Sequence, residues 1–569
     1  MNISLKSLSP LVFAAILCSC SNSATETSQE VLTVEPHGNV VRIAELTVPS
    51  SIFPQKITNA VEGLIASQIY EGLVRINPQD LSIMPGLAES WEISGKTVTF
   101  HLRKGLKFQN TGDAGSDAEI TSKDVLFTFE QLCSAAPENI HFQTVSENRI
   151  VGANEYHAAS MKKEKAELKG FKILDDYNFS IELLTSPAIF LELLANPITA
   201  IISEKAFADK KDLSHVGAGP FVLDAKSSTS THYALYKNKN YYAKDKSGKA
   251  LPYLDSLIID ILPSSEEALK QFENGNIDLM SSVPSNQVNR LVTENIQSFK
   301  NPAKYIVEQK PEMMSSYYIY NINKAPFNNV KVRQALNYAI DRNRIIEKVL
   351  FGQAYAPAIH GVVPPTFAFY KTNDIKGYDL DVEKAKQLLK EAGYPNGKNF
   401  PEVQLVVNSG DSKNNSVAVE IQKQLKTNLN INVTFESVPN AEKFEMENKG
   451  SANLFGDGWV ADYPNPESFL TPFYGKGVEK DLNKISYPNT TRYQNKTFDK
   501  YYEAGRIAGN RDSSAAYFLK AEQVLIADAP IMPLWYDSNC RLLKVFVKGF
   551  YSNPLRYYDF LRVTIDEKR

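Results

Sequence analysis

Along the chain, apolar residues recur at every second position in some stretches and at every third or fourth in others, and the switches between the two periods mark the elements. Residues 40–44, Val-Val-Arg-Ile-Ala, read as a strand, and a polar stretch follows through Pro54. A helix then starts where Asn59 can cap it with Glu62 three residues on, and Val61, Leu64, Ile65 and Ile69 fall at helical spacing. Trp91-Glu-Ile, a turn at Ser94-Gly-Lys96 and alternating Val98, Phe100 and Leu102 predict a hairpin. Thr121 with Asp124 caps a helix carrying Val125, Phe129 and Leu132. Further on, Val332, Ala335, Leu336, Ala339 and Ile340, then Ile345, Ile346, Val349 and Leu350, describe two helices with buried faces, broken near Asp341. Asp381 caps another, with Ala385, Leu388, Leu389 and Ala392 inward and Gly393 at its end. Residues 403–407, 417–425 and 431–435 complete a βαβ unit whose crossover is long enough for parallel pairing. The fold class is therefore α/β, doubly wound at least in its second half.

Length and charge narrow the picture. A chain of 569 residues exceeds what one core supports, so two or three packed units are expected. With 43% apolar and 22% charged residues, neither wholesale disorder nor a multi-span membrane protein fits. Sixty-two basic against 65 acidic residues leave a net charge of -3, which lacks the electrostatic footprint of a nucleic-acid binder. The N-terminus carries Lys6 and the apolar run Leu11-Val-Phe-Ala-Ala-Ile-Leu17, too short for a membrane span, and reads as a signal peptide over residues 1–19. Its end, Leu17-Cys18-Ser19-Cys20, resembles the bacterial lipobox. Cys20 is the acylated cysteine in that reading, and residues 20–35 are a lipidated, flexible tether. Cys133 and Cys540 remain in the folded body, as a bridge or as two buried thiols.

Catalytic signatures are missing. The seven histidines are scattered without a pair at i, i+4, and there is no G-x-S-x-G elbow, no phosphate loop and no C-x-x-C, so neither a metal site nor a cofactor is expected. Gly217-Ala-Gly219 precedes Pro220 and reads as a tight turn before a strand at 221–223.

Several segments, in order, are similar to the family 5 solute-binding proteins of ABC transporters, the oligopeptide- and dipeptide-binding type. They are Ile69-Tyr-Glu-Gly-Leu-Val-Arg75 and Pro85-Gly-Leu-Ala-Glu-Ser-Trp91, Gly217-Ala-Gly-Pro-Phe221, Val332-Arg-Gln-Ala-Leu-Asn-Tyr-Ala-Ile-Asp-Arg342, Gly458-Trp-Val-Ala-Asp-Tyr-Pro-Asn-Pro466 and Ala529-Pro-Ile-Met-Pro533. Two departures stand out: residues 109–120 are longer than usual, and Gly456 and Asp457 stand where some relatives carry an arginine for the ligand carboxylate.

The resemblance implies a two-lobed periplasmic-binding-protein fold that closes on ligand about a hinge of two strand crossings, near 315–321 and 530–536. Lobe one would comprise residues 36–315, with an extra subdomain at about 66–190, and residues 531–569; lobe two would be 316–530. It further implies capture of peptides for the permease subunits of an ABC importer, by a monomer anchored through lipid to a bacterial membrane and facing the periplasm. A ligand ammonium would meet Asp462, with Gly458, Trp459 and Tyr463 around it, and Glu45 and Thr47 would contribute from lobe one. Other solutes (nickel chelates, opines, sugars), a ligand-presenting receptor and a lipoprotein hydrolase are the competing readings.

Overall fold

The computed structural model describes residues 39–109, 119–208, 216–297, 303–476, 478, 479, 481 and 483–566. The signal peptide, Cys20, the tether and most of the 109–120 segment lie outside the described residues.

Eleven strands form the largest sheet among the described residues. The elements that build the site are β1 (Val40–Glu45), α1 (Ala60–Ile69), β2 (Tyr305–Tyr320), β3 (Val403–Asn408), α2 (Ser412–Leu429), β4 (Val433–Val438), α3 (Asn440–Asn448), β5 (Leu454–Val460), α4 (Lys496–Ile507), α5 (Arg511–Asp528) and β6 (Ile531–Lys544). Across the sheet the order runs β4, β3, β5, β2, β6, Leu279–Met280, β1, Ser256–Ile261, His232–Lys237 and Phe221–Leu223, and Ala354–Pro357 pairs with β6. The predicted hairpin is present as Ala88–Ser94 with Thr97–Leu102, in a separate four-stranded sheet.

Two strands carry the molecule from one half of the large sheet to the other. β2 pairs antiparallel with β6 over Tyr305 to Pro311 and again over Ser315 to Ile319, and the register slips between Pro311 and Ser315 and once more between Ser316 and Tyr317. Beyond the slip β2 also pairs with β5. Because successive side chains of a strand point to opposite faces, β2 feeds two cores: Tyr317 and Ile319 join the cluster of Ile43, Ile65, Phe129 and Leu257, while Tyr318 and Tyr320 join that of Leu336, Leu405, Ile421 and Leu454.

Local chemistry explains most boundaries. Asn59 accepts from the N–H groups of Val61 and Glu62, Thr121 and Asp124 form a capping box, and Asp381 accepts from Lys384. The helix pair at 330–349 breaks where Asp341 caps Arg344. The βαβ unit is parallel as expected but its helix is longer than the apolar pattern predicts, because Asp411 caps it at Ser412, ahead of the first buried position, Val417. Gly217 and Gly219 pack against α1 so closely that a Cβ at 217 would stand 2.1 Å from the Ile69 carbonyl oxygen, which explains the glycines as a backbone crossing. Cys133 and Cys540 are both buried and free.

Candidate functional site

A cavity of about 480 Å³ opens where the ends of β1, β3 and β5 converge on the first half of α1, the start of α2 and one face of α3. Its volume falls within the range of small-ligand sites. The lip formed after β1 is held by one side chain. Glu62, fully buried, accepts from the N–H and hydroxyl of Ser50 at 2.7 Å each and from the N–H and hydroxyl of Thr58 at 2.6 and 3.0 Å. Capping explains a second wall: Asp411 turns one oxygen to Lys413 N–H at 2.9 Å and the other to the Ser282 hydroxyl at 3.1 Å, tying the start of α2 to the segment after Leu279–Met280.

On β5 the ladder leaves a backbone edge toward the cavity. Ala461 N–H donates to Met313 O at 2.8 Å and Asn321 N–H to Asn453 O at 3.0 Å, so the odd-numbered residues of β5 bond β2. The even-numbered residues turn their N–H and C=O groups the other way. There β3 pairs only with Leu454 and Phe455, and Lys443 takes Gly456 O at 3.0 Å. Gly458 and Val460 therefore present main-chain groups beside the cavity they line. A side chain at 458 would put its Cβ 2.8 Å from Ser315 O, which accounts for the glycine.

Asp462 lines the cavity just beyond this edge. Its carboxylate accepts from the Ser468 hydroxyl at 3.3 Å, its N–H donates to the same oxygen at 2.8 Å, and its carbonyl accepts from Asn196 at 2.9 Å. Burial pushes its carboxyl up to about 7, against the opposing pull of Ser468 and of Trp459. The Trp459 indole N–H faces it without closing a hydrogen bond of normal geometry. Among the described residues no basic side chain lies within ion-pair distance of Asp462. The site is thus a desolvated carboxylate without a counter-ion.

Glu45, Thr47, Gly458 and Trp459 line the same cavity. Glu45 accepts from the Ser281 hydroxyl at 2.9 Å, and burial raises its carboxyl while Ser281, Arg556 and Arg541 oppose the shift. Tyr463 is a correction. It is fully buried and does not line the cavity; its phenol is packed among Arg149, Glu467, Tyr502 and Arg506. Its neighbour Asp462 reaches the cavity instead, because the chain leaves β5 there and the two consecutive side chains diverge.

Other lining residues escape a sequence reading. Lys443, Phe444 and Glu447 come from α3, where a Lys–Glu pair at i, i+4 looks like a solvated helix face, yet Lys443 and Glu447 are 3% and 4% exposed. Tyr487 sits in a loop without periodicity and packs at 6.3 Å from Trp459, 5.9 Å from Phe444 and 6.0 Å from His141. His141 donates its Nε2–H to Ile57 O, 2.8 Å away, and burial pushes its imidazole down to about 4, so it is neutral. Lys413 is the loosely held cation of the cavity: its nearest carboxylate, Asp537, is 3.9 Å away and its ammonium stands 5.9 Å over the Trp535 ring. Arg556, by contrast, places Nε and Nη2 2.8 Å from Glu312. Among the described residues no cluster of His, Cys, Asp and Glu could hold a metal ion, and no helix is long and apolar enough to cross a membrane.

Residues 82–481 match the family model described as bacterial extracellular solute-binding proteins, family 5 middle. Heme-binding protein A of Haemophilus influenzae is 31% identical over 98% of this chain and 98% of its own length. Among solved structures, the ABC transporter-associated periplasmic binding protein DppA of Helicobacter pylori, in complex with the peptide STSA, superimposes with a TM-score of 0.79 at 27% identity, covering 93% of this chain and 98% of that one. OppA of Haemophilus influenzae, in complex with RPPGFSPFR, gives 0.80 at 26% identity, covering 94% and 100%.

Proposed function

Because the chain belongs to the bacterial extracellular solute-binding proteins of family 5, we propose that its cavity captures short peptides and delivers them to the permease subunits of an ABC importer. The observation that carries this reading is Asp462: a half-buried carboxylate without a counter-ion among the described residues, beside a strand edge whose main-chain groups are turned to the same space. A peptide supplies both complements. Its α-ammonium neutralises Asp462, and its backbone adds alongside Gly458 and Val460 as an extra strand, a mode that ignores side-chain identity. The peptide-bound solved structures of similar fold support the same reading. Lys413, loosely paired at the positive end of α2, is the group proposed for the ligand carboxylate.

The proposed lobes are residues 36–315 with 531–569, including an extra subdomain at about 66–190, and residues 316–530. The slip in register between Pro311 and Ser315 supports a hinge in the paired strands β2 and β6, a few residues before the crossing expected at 315. Capture by hinge closure needs no chemistry on the ligand. Cys20, outside the described residues, is the proposed lipid anchor, and Cys20→Ser is expected to move the protein from the membrane to the soluble fraction.

Mass spectrometry of ligand released from the denatured protein tests the central proposal. Peptides are expected; a porphyrin, a metal chelate or a sugar in their place would overturn it.

A further inference from the structure

We infer that the cavity takes a second positive charge from its ligand, a lysine or arginine side chain, in a pocket walled by Phe444, Trp459 and Tyr487 and floored by Asp457 and Glu447. The inference rests on the peptide reading of the cavity given above.

The three rings form one wall, with Tyr487 between the other two at centroid distances of 5.9 and 6.3 Å. Aromatic faces attract ammonium and guanidinium groups, most strongly where water is excluded. Both carboxylates share one cation. Lys443 Nζ lies 3.2 Å from Asp457 Oδ1 and 3.1 Å from Glu447 Oε2 and donates its third hydrogen bond to Gly456 O at 3.0 Å. An ammonium has three donors, so Lys443 has none left.

Two acceptor oxygens remain. Asp457 Oδ2 belongs to a side chain 28% exposed, and Glu447 Oε1, on a residue 4% exposed that lines the cavity, has only the Thr490 hydroxyl beside it, which closes no hydrogen bond of normal geometry. A buried acceptor left empty is costly, and a ligand N–H relieves it. The local charge count points the same way: in a cavity lined by five acidic and three basic side chains, Asp457 and Glu447 are two carboxylates on the single ammonium of Lys443. Burial pushes the Glu447 carboxyl up to about 7 against the pull of Lys443, and Asp457 raises it further, so a ligand cation there stabilises the ionised form. A norleucine side chain fills the same space and supplies neither charge nor donor.

Calorimetry on trialanine variants tests this, with lysine placed at each position in turn and matched to norleucine, its uncharged counterpart in shape. At one position lysine is expected to bind about tenfold tighter. Asp457→Asn or Glu447→Gln should reduce that ratio to about threefold or less, the norleucine peptide measured on the same variant serving as the reference for any general change in the cavity. Asp462→Asn should weaken both members of a pair alike and leave their ratio intact. Equal affinities at every position, or a lysine preference that survives both Asp457→Asn and Glu447→Gln, would overturn the inference. If no tripeptide binds, the peptide reading falls, and agmatine against butylamine then decides the charge pocket: tighter binding of agmatine that is lost in Asp457→Asn supports it, and equal binding ends it.

Discussion

In the role proposed for Asp462, a single charge decides how the ligand is held. Truncating one partner of a desolvated ion pair leaves the other buried and uncompensated, at a cost of about 2–5 kcal/mol, whereas an exposed pair loses under about 1 kcal/mol. Asp462→Asn keeps the shape and one acceptor oxygen, so calorimetry should show free trialanine weakened at least about thirtyfold and N-acetylated trialanine almost unaffected. Equal losses for the two ligands would make Asp462 a turn residue. The same group gives a pH dependence with a definite sign. Its folded pKa, about 7, is raised above the ordinary carboxylate value by burial, so in the empty protein its contribution to stability is full below about pH 4 and is lost as pH rises through about 7. A ligand ammonium requires the carboxylate. Binding of trialanine is therefore expected to tighten from pH 5 to 7.5 and to release about one proton at pH 6, read from calorimetry in buffers of different ionisation enthalpy, and Asp462→Asn should abolish the release. This residue was legible in the sequence because it stands in a motif; Lys443 and Glu447 were not, because an i, i+4 pair reads the same on a wet helix face as on one that lines a cavity.

Among the elements, caps and glycines carry more of the design than propensity does. Asn59, Thr121 with Asp124, and Asp381 all start helices where the sequence places them, since a side-chain acceptor next to an apolar run has few other uses. Asp411 shows the limit: the helix begins five residues before its first buried position, so the apolar pattern alone underestimates it. Tyr463 shows another, because period says nothing about where a side chain points once a strand has ended. Two substitutions test element packing. Gly505 in α4 faces Phe518 of α5, whose ring carbons would lie 2.5 Å from an added Cβ, so Gly505→Ala should lower stability by about 1–3 kcal/mol through separation of the two helices. Glu62→Ala strands four donors from Ser50 and Thr58, and denaturant unfolding should show a loss of about 3 kcal/mol or more together with weakened ligand binding, because those residues hold the cavity lip. Glu62→Gln, which keeps the acceptor role in part, should recover some of each.

For the molecule as a whole, the two long strands β2 and β6 set what kind of motion is available. Both run continuously through the large sheet and contribute to more than one core, so the proposed bending is expected at the breaks in their register, between Pro311 and Ser315 and between Ser316 and Tyr317. Small-angle scattering is expected to show a smaller radius of gyration with saturating peptide, and an unchanged radius with calorimetrically confirmed ligand would remove the hinge. Cys540 supplies a second view of that motion. It lies on β6 at the cavity wall, 7% exposed, with its thiol pushed up to about 11, while Cys133 is fully buried in the helix Ser122–Cys133. With the proposed hinge, an alkylating reagent is expected to reach Cys540 only while the cleft is open, so the labelling rate would serve as a clock for opening that needs no added probe. Peptide should slow that clock in proportion to the closed fraction, and Cys133, whose burial does not depend on the cleft, times global unfolding in the same tube.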